Sequence, residues 1–348
     1  MKRRSNLRVE TFATARKVLL ETFQTGPRAV GVEYENAAGQ VVQVKASKEV
    51  IVSAGALHSP QLLMLSGIGP SHHLKNLNVD VVSDLPVGEG LMDHPDVLGV
   101  QYKCGPPLCV HDWETREEDL RQYNSSREGA LAAANMLQLM AFLRSHKARP
   151  WTGHQPDLQL IFLGNTQTEV ITPSCLLMDS WRLNRVIVLV SLMRPESRGW
   201  VRLNASDPHA APLVKLNYFG DDQGHDLDTV VEGLQFALRL EAPLRKTGLS
   251  LDKTNNPQCA RFPMGSDGFL RCLARTSTVT AWHWSGTCRM GRANDPRAVV
   301  DSQLRVRGVS GLRVVDASVM PYITSGNTNA PTIMLAEVAA DLIKRAQS

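Results

Sequence analysis

The run Glu49-Val50-Ile51-Val52-Ser53 is apolar through its centre and ends in Ala54-Gly55-Ala56. A strand with no polar face has to be covered on both sides. Ser59-Pro60 follows almost at once, and proline suits the first position of a helix, where its missing N–H costs nothing. The spacing therefore predicts a helix from Pro60 to about Ser66, ended by Gly67-Ile68-Gly69-Pro70. A covered strand running straight into a helix demands an α/β layer.

Other segments read differently. Val30 to Glu35 and Val41 to Lys45 alternate about the turn Asn36-Ala37-Ala38-Gly39, the pattern of a β-hairpin. Val87 to Pro95 reads as a crossing loop, after which the texture changes. A charged helical region is expected from Trp113 to Arg121, and a buried helix over the Ala-rich stretch Gly129 to Leu143. Strands are expected at 157–163, 186–193, 200–203 and 213–216, forming an antiparallel sheet with helices. Arg313-Val314-Val315 returns to a strand, and a last helix runs from Pro331 to about Ala346, with Leu335, Val338, Ala339 and Leu342 on one face. With 348 residues, about two domains are expected. Residues 1–96 and 281–348 read as one discontinuous domain around a second at 97–280.

Composition narrows the function classes. Hydrophobic residues make up 43% and charged residues 21%, enough for a packed core. The net charge is +4 with both signs scattered, so no basic surface points to nucleic acid. Met1-Lys2-Arg3-Arg4 is basic, but no apolar core follows it as in a signal peptide, and the apolar stretch 129–143 is too short for a span of about 20 residues. The chain reads as soluble, its compartment open. Cysteines at 104, 109, 175, 259, 272 and 288 contain no Cys-x-x-Cys pair, so no metal site is expected. Cys104 with Cys109, or Cys259 with Cys272, could pair under oxidising conditions; isolated thiols fit equally well. Asn124-Ser125-Ser126 and Asn204-Ala205-Ser206 have the form of glycan acceptors, a form common by chance.

One segment carries chemistry. Trp282-His283-Trp284-Ser285-Gly286-Thr287-Cys288 sets a histidine between two bulky aromatics, where dryness tunes its charge near neutrality. Ser325-Gly326-Asn327-Thr328-Asn329-Ala330-Pro331 is a polar turn opening the last helix. A proton acceptor and a site for negative charge are thus expected together. His58, His154 and His225 are lone histidines with no assigned role, and Cys288 reads as an inert packed thiol.

The long run Gly55-Ala56-Leu57-His58-Ser59-Pro60-Gln61-Leu62-Leu63-Met64-Leu65-Ser66-Gly67-Ile68-Gly69 resembles the second signature of the glucose–methanol–choline oxidoreductases, FAD-dependent alcohol dehydrogenases and oxidases. Gly88 to Pro95, the His283 segment and Val315-Asp316-Ala317-Ser318-Val319-Met320-Pro321 extend the resemblance over almost the whole chain. Arg194 to Gly199 and the His283 segment look most like the animal glucose- and choline-dehydrogenase-like branch. The resemblance implies an α/β and α+β fold, with a Rossmann-like FAD-binding domain interrupted by a substrate domain of antiparallel sheet and helices. It implies catalytic roles for His283 as base and for Asn327 as partner of the developing alkoxide. FAD would be held near Ala15, Trp282, Asp316, Ala317, Asn327 and Thr328, with Trp282 and Trp284 as walls. It further implies a small alcohol as substrate and an electron acceptor that is oxygen, a quinone or another molecule.

The resemblance also implies something missing. The family opens with a Gly-x-Gly-x-x-Gly turn that lays the diphosphate on a helix N-terminus, and this sequence contains no such turn. The chain is accordingly expected to be a fragment or truncated form of such an enzyme, with an incomplete FAD-binding domain and Val50, Ile51 and Val52 on an exposed apolar edge. The alternative is a flavin-free binding or scaffold protein built on the substrate domain.

Overall fold

A computed structural model describes residues 4–104, 116–132, 139–150, 153–163, 185–253 and 256–347. The chain forms two compact units. The first comprises Met1–Asp93, Arg198–Tyr218 and His283–Ser348; the second comprises His94–Ser197 and Phe219–Trp282. Residues 198–218 thus pack with the first unit, not with the sequence that surrounds them.

In the first unit, the strand Val50–Val52 pairs in parallel with Leu312–Val314. Val50 and Val52 point into a core that includes Leu62, Leu63, Met64, Val299, Val306 and Val319. Only Ile51, 44% exposed, has the exposed character expected of all three. The strands Thr14–Phe23, Gly26–Glu35 and Val41–Lys45 form an antiparallel sheet whose second and third strands are the hairpin read from the sequence. Glu89–Leu91, Gly199–Arg202 and Leu213–Lys215 form another. The helix Asn329–Gln347 buries only Ala339; Val338, expected on the packed face, is exposed.

The first helix corrects the proline reading. It spans Gly55–Leu65, so Pro60 stands inside it rather than at its start. Proline cannot donate to the carbonyl four residues back. That carbonyl belongs to Ala56, and it accepts the Thr287 hydroxyl instead, at 2.7 Å. The N-terminus is set five residues early by Asp316, which accepts the Gly55 N–H at 3.0 Å. A carboxylate there also complements the helix dipole.

The second unit is built on a six-stranded antiparallel sheet. Arg185–Leu192 lies at its centre between Pro95–Lys103 and Leu158–Leu163. Ser250–Leu251 and Thr278–Thr280 pair with opposite ends of Pro95–Lys103. Leu139–Leu143 is the strand beyond Leu158–Leu163, where a buried helix was expected. Its apolar residues answer to an edge position: Leu139, Met140 and Phe142 stay exposed while the backbone pairs along one side. The preceding 3₁₀ turn is Ala130–Ala132. The charged helix spans Arg116–Ser126; the start expected at Trp113 and part of the Ala-rich stretch lie outside the described residues. Cys259 and Cys272 are joined in a disulfide, and Cys104 is disulfide-bonded as well.

The helix His225–Arg239 covers the sheet with Leu227, Val230, Val231, Leu234 and Ala237, the 3–4 spacing of one helical face. Gly233 lies on that face. A Cβ added there would sit 2.6 Å from Val190 Cγ1 and 3.3 Å from both Leu158 δ carbons. Alanine would raise helix propensity by about 1 kcal/mol. Overpacking of this kind costs about 1–3 kcal/mol and should win. Gly233→Ala is therefore expected to lower the urea midpoint; a raised midpoint would contradict this packing.

Candidate active site

The residues Ser285 to Met290 form a ribbon that turns at Thr287–Cys288 and is bonded along both edges. On one edge Ser285 and Met92 exchange N–H···O bonds of 3.0 and 2.9 Å, and the Gly88 N–H donates to the Thr287 carbonyl at 2.8 Å. On the other edge the N–H groups of Gly286, Cys288 and Met290 donate to the carbonyls of Ala317, Ser318 and Val319 at 3.2, 2.8 and 2.8 Å. Gly286 has φ +87°, and a Cβ there would meet Met92 Cε at 2.5 Å and the Gly90 carbonyl oxygen at 2.9 Å. Glycine is what lets the two neighbours close on the ribbon.

His283 stands at the head of this ribbon. Its backbone N–H donates to Asp93 Oδ1 at 3.0 Å, while the Tyr218 hydroxyl donates to Asp93 Oδ2. The carboxylate itself is buried. One acidic group thus fixes where the histidine leaves the ribbon.

The Asn327 side-chain amide donates to His283 Nε2 at 3.4 Å. Nε2 is then the acceptor nitrogen and Nδ1 carries the proton. Burial of the half-covered ring pushes its pKa below the usual 6.5, so the ring is neutral at pH 7. Two nitrogens 3.4 Å apart leave a point about 2.8–3.0 Å from each, hydrogen-bonding distance for one oxygen. The arrangement can accept a proton from a hydroxyl and donate a hydrogen bond to the same oxygen. Asn327 is exposed, and a Cβ added at the neighbouring Gly326 would meet nothing within 4 Å.

Residues 1–96 and 195–336 match the N- and C-terminal models of one family, GMC oxidoreductase. The chain belongs to the GMC oxidoreductase family. Over 346 residues it is 36% identical to glucose dehydrogenase (FAD, quinone) of Drosophila melanogaster, covering 99% of this chain and 54% of the fly protein. Mitochondrial choline dehydrogenase of Homo sapiens is 40% identical over 357 residues, with 98% and 54% covered. The Aspergillus oryzae formate oxidase structure superposes with a TM-score of 0.79 at 28% identity, covering 96% of this chain and 60% of that one. The chain spans about half the length of the curated relatives it matches, 54% of each of the two named.

The other residues singled out in the sequence fall in several places. Asp316 Oδ2 accepts the Gly55 N–H and the Ser59 hydroxyl, and Oδ1 accepts the Ser318 N–H at 2.8 Å. Its carboxylate thus ties the first helix to the 317–319 turn. Ala317 contributes its carbonyl to the ribbon. Thr328 is buried, and its carbonyl accepts both the N–H and the hydroxyl of Thr332 as the last helix begins. Ala15 is an exposed strand residue paired with Tyr34, outside the bonded set around His283. Trp282 ends the second unit with φ +57° and 58% exposure, its N–H bonded to the Thr280 hydroxyl. That exposure does not suit the enclosing wall expected of it. Trp284 is half-buried and fits that description better. Cys288 is buried and free, its thiol pushed upward by burial, in keeping with an inert packed side chain. Asp93 and Tyr218 were not foreseen. Asp93 stands in the motif Gly88 to Pro95, but nothing in the text marks it as an acceptor for residue 283.

The lowered pKa has a consequence for stability. Between the folded value and 6.5 the unfolded chain holds more protons on this ring than the folded one, so stability is lost as pH falls through 6.5. NMR titration of the His283 Cε1 proton, assigned by its loss in His283→Gln, should give a midpoint below 6.5. A midpoint at or above 6.5 would mean that the ring is fully solvated or paired with a negative charge.

Proposed function

We propose that this chain carries the catalytic end of an FAD-dependent oxidoreductase acting on the CH–OH group of a small alcohol. The observation that carries the reading is the neutral His283 ring with the Asn327 amide 3.4 Å from its acceptor nitrogen. Membership of the GMC family supplies the chemical context.

The residues present suit the reacting end of FAD. Asn327 and Gly326 border open space, and the last helix directs its first-turn N–H groups toward its own N-terminus, a place favourable to an anion. The turn of Asp316 and Ala317 and the backbone of Thr328 are assigned to the same cofactor. The diphosphate-binding Gly-x-Gly-x-x-Gly turn is not among these residues. When bound, the flavin supplies the acceptor for the hydride that leaves the alcohol carbon. His283 Nε2 takes the hydroxyl proton. The Asn327 N–H then holds the oxygen as negative charge develops on it. Asp93, by accepting the His283 backbone N–H, fixes the main chain from which the ring projects. We assign the cofactor to the first unit and the choice of alcohol to the second, with choline-like alcohols and sugars as the classes to try and oxygen or a quinone as acceptors.

The test uses FAD-loaded protein mixed anaerobically with each alcohol, flavin bleaching being followed by absorbance. His283→Ala should slow the bleaching by about 10²–10⁴-fold, the scale for losing a general base. Asn327→Ala should slow it by about 10²–10³-fold, the scale for losing one alkoxide donor. Unchanged bleaching in His283→Ala would remove the histidine from the chemistry. A folded chain that takes up no FAD would favour a flavin-free binding protein.

A further inference from the structure

The two Asn-x-Ser tripeptides differ sharply in structure. Asn204 lies in the loop between the strands Gly199–Arg202 and Leu213–Lys215, with Ala205 and Ser206 exposed. Asn204 Oδ1 accepts both the backbone N–H of Ser206, at 3.0 Å, and its hydroxyl, at 2.8 Å. Its Nδ2 makes no hydrogen bond among the described residues. The loop is held on both sides of this turn. The Leu203 N–H donates to His73 Nε2 at 3.1 Å, and the Gln61 amide donates to the Ala210 carbonyl at 2.7 Å.

At the other tripeptide the hydroxyl is turned elsewhere. Asn124 sits within the helix Arg116–Ser126, and the Ser126 hydroxyl donates to the Gln122 carbonyl at 3.1 Å. A helix holds the hydroxyl on its own backbone, away from the asparagine amide. An acceptor asparagine needs a reachable amide and a hydroxyl two residues on. Only Asn204 offers both in one turn.

A second observation bears on compartment. Cys259 and Cys272 form a disulfide, and Cys104 is disulfide-bonded too. Disulfides persist in oxidising compartments, where asparagine-linked glycans are also added.

We propose that Asn204 is an N-glycan acceptor, selected over Asn124 by the exposed turn that sets the Ser206 hydroxyl on its own side chain, in a chain that matures in an oxidising lumen. The donor is a lipid-linked oligosaccharide diphosphate, acting with its membrane transferase. The bond between the sugar's C1 and the diphosphate oxygen breaks, a bond from C1 to Asn204 Nδ2 forms, one amide proton passes to a transferase base, and the lipid diphosphate leaves. No oxidation state changes. A glycan here stands on a surface loop and leaves Gln61 and His73 to hold the protein side of that loop.

The test directs the full chain into microsomes behind a cleavable leader and reads gel mobility before and after treatment with a glycan-removing amidase. Peptide mass spectrometry then locates the aspartate that the amidase leaves. The expected result is one amidase-sensitive shift with aspartate at 204. It should be lost in Asn204→Gln and Ser206→Ala, and kept in Ser206→Thr and Asn124→Gln. Each variant changes an exposed or partly exposed position, and formation of the Cys259–Cys272 disulfide in it, read by mobility with and without reductant, shows that it still folds. The proposal is overturned by a shift that survives Asn204→Gln, or by no shift in lumenal chain whose Cys259–Cys272 disulfide has formed.

Discussion

The ribbon from Ser285 to Met290 is what the rest of the site depends on. It is bonded to Gly88 and Met92 on one edge and to Ala317, Ser318 and Val319 on the other. Each of these bonds satisfies a backbone group in the protein interior, where an unpaired one costs about 1–3 kcal/mol. Sequence positions nearly 230 residues apart are thereby locked in register. His283 projects from the head of this ribbon, and Asn327 follows the turn that forms its far edge. The backbone hydrogen bonds place the head of the ribbon, and the Asn327 amide closes on the His283 imidazole by its own hydrogen bond of 3.4 Å.

Buried side chains extend the same lock. Asp316 joins the first helix to the 317–319 turn through Gly55, Ser59 and Ser318. Thr287 supplies the Ala56 carbonyl with the donor that Pro60 withholds. Asp93 takes the His283 amide and the Tyr218 hydroxyl. These carboxylates and hydroxyls do not touch an alcohol in this account. They hold the groups that do, and that is why the long run from Gly55 to Gly69 belongs to the site without containing a catalytic group.

Much of the fold was legible because periodicity reports burial directly. The hairpin around Asn36 to Gly39, the strand expected at 186–193 and found at Arg185–Leu192, and the strand at 50–52 were all legible from side-chain pattern. The failures share one cause: a distant partner overrode the local signal. Pro60 announces a helix start, yet a carboxylate 261 residues beyond Gly55 extends the helix to that glycine and a threonine hydroxyl repairs the broken bond. Leu139 to Leu143 are apolar without alternation and looked like a buried helix, but they form a strand bonded to Leu158–Leu163 with apolar groups left exposed. The site divides in the same way. His283 and Asn327 were legible because their residue types and the motifs around them carry the chemistry. Asp93 and Tyr218 were not, since a buried acceptor for a backbone N–H leaves no trace in local sequence.

The account's central claim is that a rigid ribbon, pinned at both edges, sets the imidazole against the amide. Native-state hydrogen exchange resolved to single amides tests it most directly. Gly286, Cys288 and Met290 should exchange as slowly as the central strand Arg185–Leu192, and Asp93→Ala should accelerate His283 while leaving Cys288 and Met290 protected. Exchange at these three amides in the unaltered protein as fast as in the exposed Asn36–Gly39 turn would contradict it, because a loop that opens freely cannot hold a base and its partner in place.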